Sequence, residues 1–337
     1  MNRLRLGKIL AGLATVFLLA ACTSDDNLTQ GEPLPVGQYP LELNAGGLQA
    51  VATPATRGTV DGDWNGMNDQ NIPLMDDSNS DNPEVKQYKL TIEEGSGNKT
   101  VRLTSDDPFY WESTTEQKAI EAWYSPKEDE AFRKYKTERP AEDDLWKTAT
   151  TQTDETMKDD DFLYVKDYMK FEDRESMALQ FRHLLAKVTV NLMESESEYL
   201  TNAKDVSVAL TNCLYEGNFD FDEERNMRIG EALMTDDNTA NITLCKLNDP
   251  AGGAFATYEG LLIPQSVEQN EKLYVQVAVD GTIYRWRMQL SGNEISLKGG
   301  YEYTFNITVK EQGLKVSSYN YPTWEKDETE HSGSIDI

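Results

Sequence analysis

The fold class predicted by this sequence is all-β, with two β-sandwich domains in series, and three observations predict it. Apolar and polar residues alternate along many short stretches, as at Val188, Val190 and Leu192, and at Tyr301, Tyr303, Phe305, Ile307 and Val309. That period of two turns one face of a strand to a core and the other outward. Asp280-Gly281 stands between two such runs, Leu273 to Val279 and Ile283 to Trp286, and this dipeptide is the strongest short signal for a tight hairpin. No stretch of comparable length carries a 3.6-residue apolar stripe or a fixed repeat. The chain has 337 residues, more than one sandwich needs.

In chain order, Arg3, Arg5 and Lys8 precede an apolar run over 9–19 that exits through Ala20-Ala21-Cys22. A basic start, a short apolar run and a small-residue exit describe a signal peptide over 1–21 rather than a membrane span. Cys22 at the cut resembles the lipobox cysteine of bacterial lipoproteins, whose thiol receives diacylglycerol and holds the protein to the outer-membrane lipid. The acidic run 23–27 that follows is similar to the export signal of Bacteroidetes surface lipoproteins. Residues 22–38 read as a tether with no core-forming pattern. A first strand occupies 39–45, apolar character continues over 48–52, and Pro54 and Arg57-Gly58 end it. Residues 61–82 are acidic and rich in Asn, and read as a long loop. Strands follow over 85–92 and 99–103, around a glycine-containing turn at 94–98. An aromatic pair at 109–111 and 119–124 comes next, and a further strand at 162–165. Between them, 125–160 is dominated by Lys, Glu, Asp and Thr and reads as a charged insertion or solvated helix and loop. A polar stretch near 175 divides an N-terminal domain, 39–175, from a C-terminal domain, 176–337.

Composition excludes several functions. Formal charge is −27, from 59 acidic and 32 basic residues, the wrong sign for nucleic acid or for a polybasic grip on anionic lipid. Only two histidines exist, His183 and His331. The first lies among apolar residues as a packing residue and the second in a polar tail, so neither builds a catalytic triad. There is no zinc-protease helix, nucleophile elbow or phosphate-cradling glycine loop. Asp77, Asn79 and Asp81 have the spacing that opens an EF-hand, but Asn82 and Tyr88 stand where it needs Gly and Glu. No metal, no cofactor and no enzymatic activity are expected. Beyond Cys22, Cys213 and Cys245 remain, either as one disulfide or as free thiols in neighbouring strands. The six tryptophans are scattered as core residues are.

Three pieces together resemble the Bacteroidetes fimbrillin family, including its fimbrillin-like and Mfa-like members, the lipoprotein precursors of type V pilus subunits. They are the lipobox at Cys22; the run Phe181-Arg182-His183-Leu184-Leu185-Ala186-Lys187, similar to the start of that family's second domain; and the tyrosine-rich strand from Tyr301 leading through Gly313-Leu314-Lys315-Val316 to Trp324. The resemblance implies two transthyretin-like sandwiches and a non-enzymatic subunit that supports adhesion at the cell surface of a Gram-negative bacterium. It implies that an arginine-specific protease cuts between Arg57 and Gly58, removing the first strand. It also implies that the C-terminal segment of another pilus subunit fills the groove left behind, head to tail. Within 313–337 the side chains available to fill it are Leu314, Val316, Tyr319, Tyr321, Ile335 and Ile337. Leu314 and Val316 have an alternative use, finishing their own domain. The long 125–160 segment departs from a compact stalk subunit. A pilus anchor, or a monomeric surface lipoprotein binding glycan or a host or bacterial protein, is the alternative, and either would keep its first strand.

Overall fold

A computed structural model of the chain describes residues 28, 30–46, 64, 67–78, 83–94, 99–195, 198–230, 237–266, 273–288, 296–320 and 332–333. The fold is all-β, in several sheets with little helix, as the alternating pattern predicts.

The first nine strands are β1 (Leu43–Gly46), β2 (Asn71–Asp76), β3 (Val85–Glu94), β4 (Lys99–Thr104), β5 (Gln117–Tyr124), β6 (Leu145–Lys147), β7 (Leu163–Lys170), β8 (Ala178–Gln180) and β9 (Arg182–His183). All but β6 join one eight-stranded sheet in the order β8-β1-β4-β3-β2-β5-β7-β9. Its pairs are antiparallel except β1 with β8, which run parallel. One face of the sheet closes on a core built from Leu43, Ile72, Leu74, Leu90, Leu103, Ile120 and their neighbours. Part of the other face is buried too: Met75, Trp123 and Tyr164 point into a separate cluster, as strand alternation allows, while Lys89, Arg102 and Tyr168 are exposed.

β2 corrects the reading of 61–82 as a loop. Asn71–Asp76 is an inner strand whose Ile72, Pro73, Leu74 and Met75 are all buried. Burial on both faces removes the alternation that marks a strand, and Pro73 argues against an inner position. The proline is accommodated because the ladder to β5 starts one residue later, at Leu74. Asp76 and Asp77, at the end of this stretch, are engaged by Lys118 at 2.8 Å and Lys166 at 3.2 Å.

The remaining strands are β10 (Ala186–Met193), β11 (Val206–Leu214), β12 (Glu216–Phe221), β13 (Met227–Gly230), β14 (Thr239–Thr243), β15 (Cys245–Lys246), β16 (Ala256–Leu262), β17 (Gln265–Ser266), β18 (Tyr274–Val279), β19 (Thr282–Arg287), β20 (Ser296–Leu297), β21 (Glu302–Lys310), β22 (Gly313–Asn320) and β23 (Ser332–Gly333). A six-stranded sheet, β15-β16-β10-β21-β22-β23, and a four-stranded sheet, β14-β11-β18-β19, share a second core. Val188, Val190 and Leu192 enter it from β10, and Val275, Val277 and Val279 from β18. The turn joining β18 to β19 is the expected hairpin. Val279 pairs with Thr282, and Asp280 and Gly281 hold φ of 47° and 84°, the doubly positive φ of a type I′ turn.

Residues 125–160 are not a solvated insertion. Tyr135, Trp146 and Met157 are buried, with Phe162, Leu185, Phe219 and Ile263, in a third cluster between the eight-stranded sheet and the later strands. Trp146 Nε1 donates to the Asp160 carbonyl at 2.9 Å, and Trp123 Nε1 to the Tyr135 carbonyl at 2.7 Å. β6 pairs with β12, which pairs in turn with β13, so this segment donates a strand to a hairpin of the second half. A helix, α1 (Asp154–Asp160), is capped by Thr153 and Thr156 through a capping box. The eight-stranded sheet continues past residue 175, because β8 and β9 both belong to it. His183 on β9 is buried, its Nδ1 2.7 Å from Asp161 Oδ1.

Cys213 and Cys245 are free thiols on separate sheets. Cys213 is buried on β11, and Cys245 on β15 is half-buried with Sγ 3.5 Å from Asp154 Oδ1. Trp64, Trp111, Trp123, Trp146 and Trp286 are all in cores. Trp324 lies outside the described residues.

Candidate functional site

The family resemblance implies that the first strand is removed and its groove refilled, and the seat of that strand can be built residue by residue. Residues 32–46 lie along the edge formed by 101–114. Leu34 N donates to Glu112 O at 2.8 Å, Leu41 N to Phe109 O at 2.7 Å, and Trp111 N returns to Tyr39 O at 2.9 Å. Isolated bridges join Pro33 to Ser113 and Pro40 to Tyr110. β1 then pairs antiparallel with β4, Leu43 opposite Leu103 and Ala45 opposite Val101. On its other side Ala45 lies opposite Leu179 of β8, and Phe181 N donates to Gly46 O at 3.1 Å. Gly46 sits close to β8: a Cβ there would stand 3.0 Å from Gln180 Nε2.

Side chains follow the strand period. Leu41, Leu43 and Ala45 point inward at 0%, 3% and 8% exposure, and Leu34 adds a fourth contact at 6%. Leu34 belongs to the stretch read as a tether; flanked by prolines and outside any alternating run, it gives no periodic signal. Tyr39 meets the Phe171 ring edge-on at 5.5 Å, and Phe171 meets Trp111 likewise at 5.8 Å. Burying three leucines contributes about 5–9 kcal/mol of hydrophobic stabilisation, an upper figure because the unfolded chain already hides part of that surface. β1 is an inner strand, and among the described strands β8 pairs with nothing else. Taking β1 away therefore leaves two strand edges with unpaired N–H and C=O groups above an apolar slot, which is a template for another strand.

At the other end of the chain, β22 lies antiparallel against β21, from Thr304 opposite Asn320 to Lys310 opposite Gly313. Val316 is fully buried in the second core and Leu314 packs against it, so both finish the chain's own sandwich. The backbone of Tyr319 pairs with Phe305 and Gly333. Tyr321, Ile335 and Ile337 lie outside the described residues, as do Cys22, Arg57 and Gly58. Among the described residues no three side chains of metal-binding type converge.

The sequence model of fimbrillin-like proteins matches residues 56–324. The fold is similar to that of a candidate cell adhesion protein from Bacteroides uniformis ATCC 8492, at 16% identity and a TM-score of 0.58, over 86% of this chain and 100% of the other. It is also similar to a candidate cell adhesion protein from Bacteroides ovatus ATCC 8483, at 15% identity and a TM-score of 0.56, over 86% and 99%. A looser likeness, with a TM-score of 0.48 and 10% identity over 85% and 99%, is to the tip fimbrial protein Mfa3 from Porphyromonas gingivalis with C-terminal truncation. No curated protein matches the chain.

Proposed function

Because the chain belongs to the fimbrillin-like family, we propose that it is a structural subunit of a surface pilus of a Gram-negative cell, exported as a lipoprotein and polymerised by strand exchange. Cys22 carries the lipid that holds the precursor to the outer membrane. An arginine-specific protease cuts between Arg57 and Gly58, and β1 then leaves its seat between β4 and β8. The C-terminal segment of a second subunit enters the slot. Such a head-to-tail contact does not close on itself and so grows a fibre. Since Leu314 and Val316 complete their own core, the donor is drawn from the residues beyond them, Tyr319, Tyr321, Ile335 and Ile337. The role is structural and adhesive, not catalytic.

The observation that carries this reading is the seating of β1. It is a short strand with apolar side chains in a core and strands on both sides, separated in sequence from the rest of that sheet by the stretch that contains Arg57. We take the two sandwiches as domains that meet around Leu184 and Leu185, with the 125–160 segment wedged between them. The test is the N-terminus of the protein recovered from the cell surface, by intact mass and terminal sequencing. A start at Gly58 without lipid supports strand removal. A lipidated start at Cys22 in all recovered protein overturns it, and leaves an anchor or a monomeric binding lipoprotein.

A further inference from the structure

The bond that maturation is proposed to cut lies outside everything that holds the first strand. Arg57 stands well beyond Gly46, the last residue of β1. On the near side of the cut, residues 32–46 keep all the contacts of their seat: Leu34 N on Glu112 O, Leu41 N on Phe109 O, the ladder to β4, and the Phe181 N–H on Gly46 O. On the far side, the remaining chain is fixed without help from β1. Met67 N donates to Trp64 O and Gln70 N to Met67 O, both at 3.1 Å, and Asp69 N donates to Leu90 O on β3 at 2.8 Å. The Trp64 side chain is buried and meets the Phe181 ring edge-on at 5.2 Å. Hydrolysis between Arg57 and Gly58 adds one water and breaks none of these contacts. It turns a segment of the chain into a separate peptide, held by the same side chains but no longer by its high effective concentration.

The two flanks of the seated strand differ. Toward 101–113 it is engaged from Pro33 to Ala45. On the other flank β8 meets it only over Asn44–Gly46, in a parallel contact, and among the described strands none pairs there with 38–42. Gly46 turns its carbonyl to this flank, and by the strand period Glu42 turns its N–H and C=O the same way. A cleft of about 670 Å³ adjoins these residues, with Arg174 and Glu175 in its wall. Unpaired backbone beside a seated strand is where another strand can add.

We propose that cleavage alone does not open the slot. The severed segment stays in its seat as a cap, and a strand from a second copy of the chain drives it out, entering along 38–42 and closing on β8 as β1 peels away. The inference rests on the strand-exchange reading and adds what controls it. The meeting of two cut subunits, not the protease, opens each slot, so a subunit cut in isolation keeps its sheet edges covered.

The test uses the full precursor, cut with an arginine-specific protease at about 0.1 and about 10 µM. Gel filtration followed by denaturing intact mass then reads whether the 22–57 fragment travels with the body. At the lower concentration the fragment should stay with the body. Its release rate should rise in proportion to subunit concentration, about 100-fold between the two. Leu43→Ala, which loosens the cap, should release its fragment at the lower concentration about 150-fold faster than the parent. Free fragment at once on cutting at 0.1 µM overturns the proposal, and so does a release rate that ignores concentration. Fragment that is never released at 10 µM, with no fibres, overturns instead the strand-exchange reading beneath it.

Discussion

Leu43→Ala is the sharpest perturbation of the seat of β1. Leu43 is 3% exposed, opposite Leu103 on β4, and belongs to the core cluster that also holds Leu179 of β8. With a paired strand on each side the site has little room to collapse, so the truncation should cost about 3 kcal/mol, inside the usual range for a buried leucine. The cost falls on the opening of β1, which is the only partner of β8 among the described strands. Two amides report that opening directly, Trp111 donating to Tyr39 O and Phe181 donating to Gly46 O. In native-state hydrogen exchange both should exchange about 150-fold faster in the variant. The control is Glu42→Ala, the exposed residue just before β1, which should change either rate by about twofold or less. Amides of the second core, such as Val277 on β18, should be unaffected. If Leu43→Ala accelerates Trp111 and Phe181 no more than Glu42→Ala does, β1 is not held as described.

Three further outcomes follow from the packing and the charges. Trp146→Ala removes a side chain that meets Phe162 at 5.1 Å and Phe132 at 5.3 Å, and takes away the donor to Asp160 O. Thermal unfolding should register a loss of about 3–5 kcal/mol, whereas a loss under about 1 kcal/mol would make 125–160 a decoration after all. Burial pushes the Glu259 carboxyl above the usual range, Lys187 opposes this and Glu302 adds to it. A carboxyl that binds its proton more tightly when folded lowers stability as pH rises from its unfolded value through the raised one. Glu259→Gln leaves Lys187 paired with Glu302 at 3.5 Å, so its urea midpoint at neutral pH should be no lower than that of the parent and fall less on going up from acid. A midpoint well below the parent's at neutral pH would contradict this. Cys245 has its thiol pushed up to about 11, by burial and then by Asp154, and burial raises Cys213 further still. In a Cys22→Ser chain, iodoacetamide should label the folded protein slowly and at Cys245 alone, and both cysteines after unfolding in urea; equal labelling of both in the folded protein would contradict the burial.

β11, β18 and β21 were legible because one face of each is wet or half-wet. β10 is buried on both faces, and its alternation shows because the second face carries the polar Lys187, Thr189 and Asn191. Asp280-Gly281 has few other conformations to choose. β2 was not legible, since Ile72, Pro73, Leu74 and Met75 are buried on both faces and read as no pattern at all. Tyr135, Trp146 and Met157 were hidden for a different reason. They are spaced irregularly through a charged stretch, and only the fold brings them together with Phe219 and Ile263. Long-range hydrogen-bond partners carry no sequence period, so the contact of His183 with Asp161 could not be read in advance. The first strand was read from its alternation at Leu41, Leu43 and Ala45. Its parallel partner β8, three residues beyond the expected domain boundary, was not.

The most direct test of strand exchange is to cut the purified precursor with an arginine-specific protease and follow its size by light scattering and electron microscopy. The account predicts cleavage after Arg57, loss of the 22–57 fragment as subunits join, and head-to-tail fibres. It predicts no fibres from Arg57→Ala or from a chain ending at residue 320. Protein that is cut after Arg57, sheds the fragment and stays monomeric would contradict it.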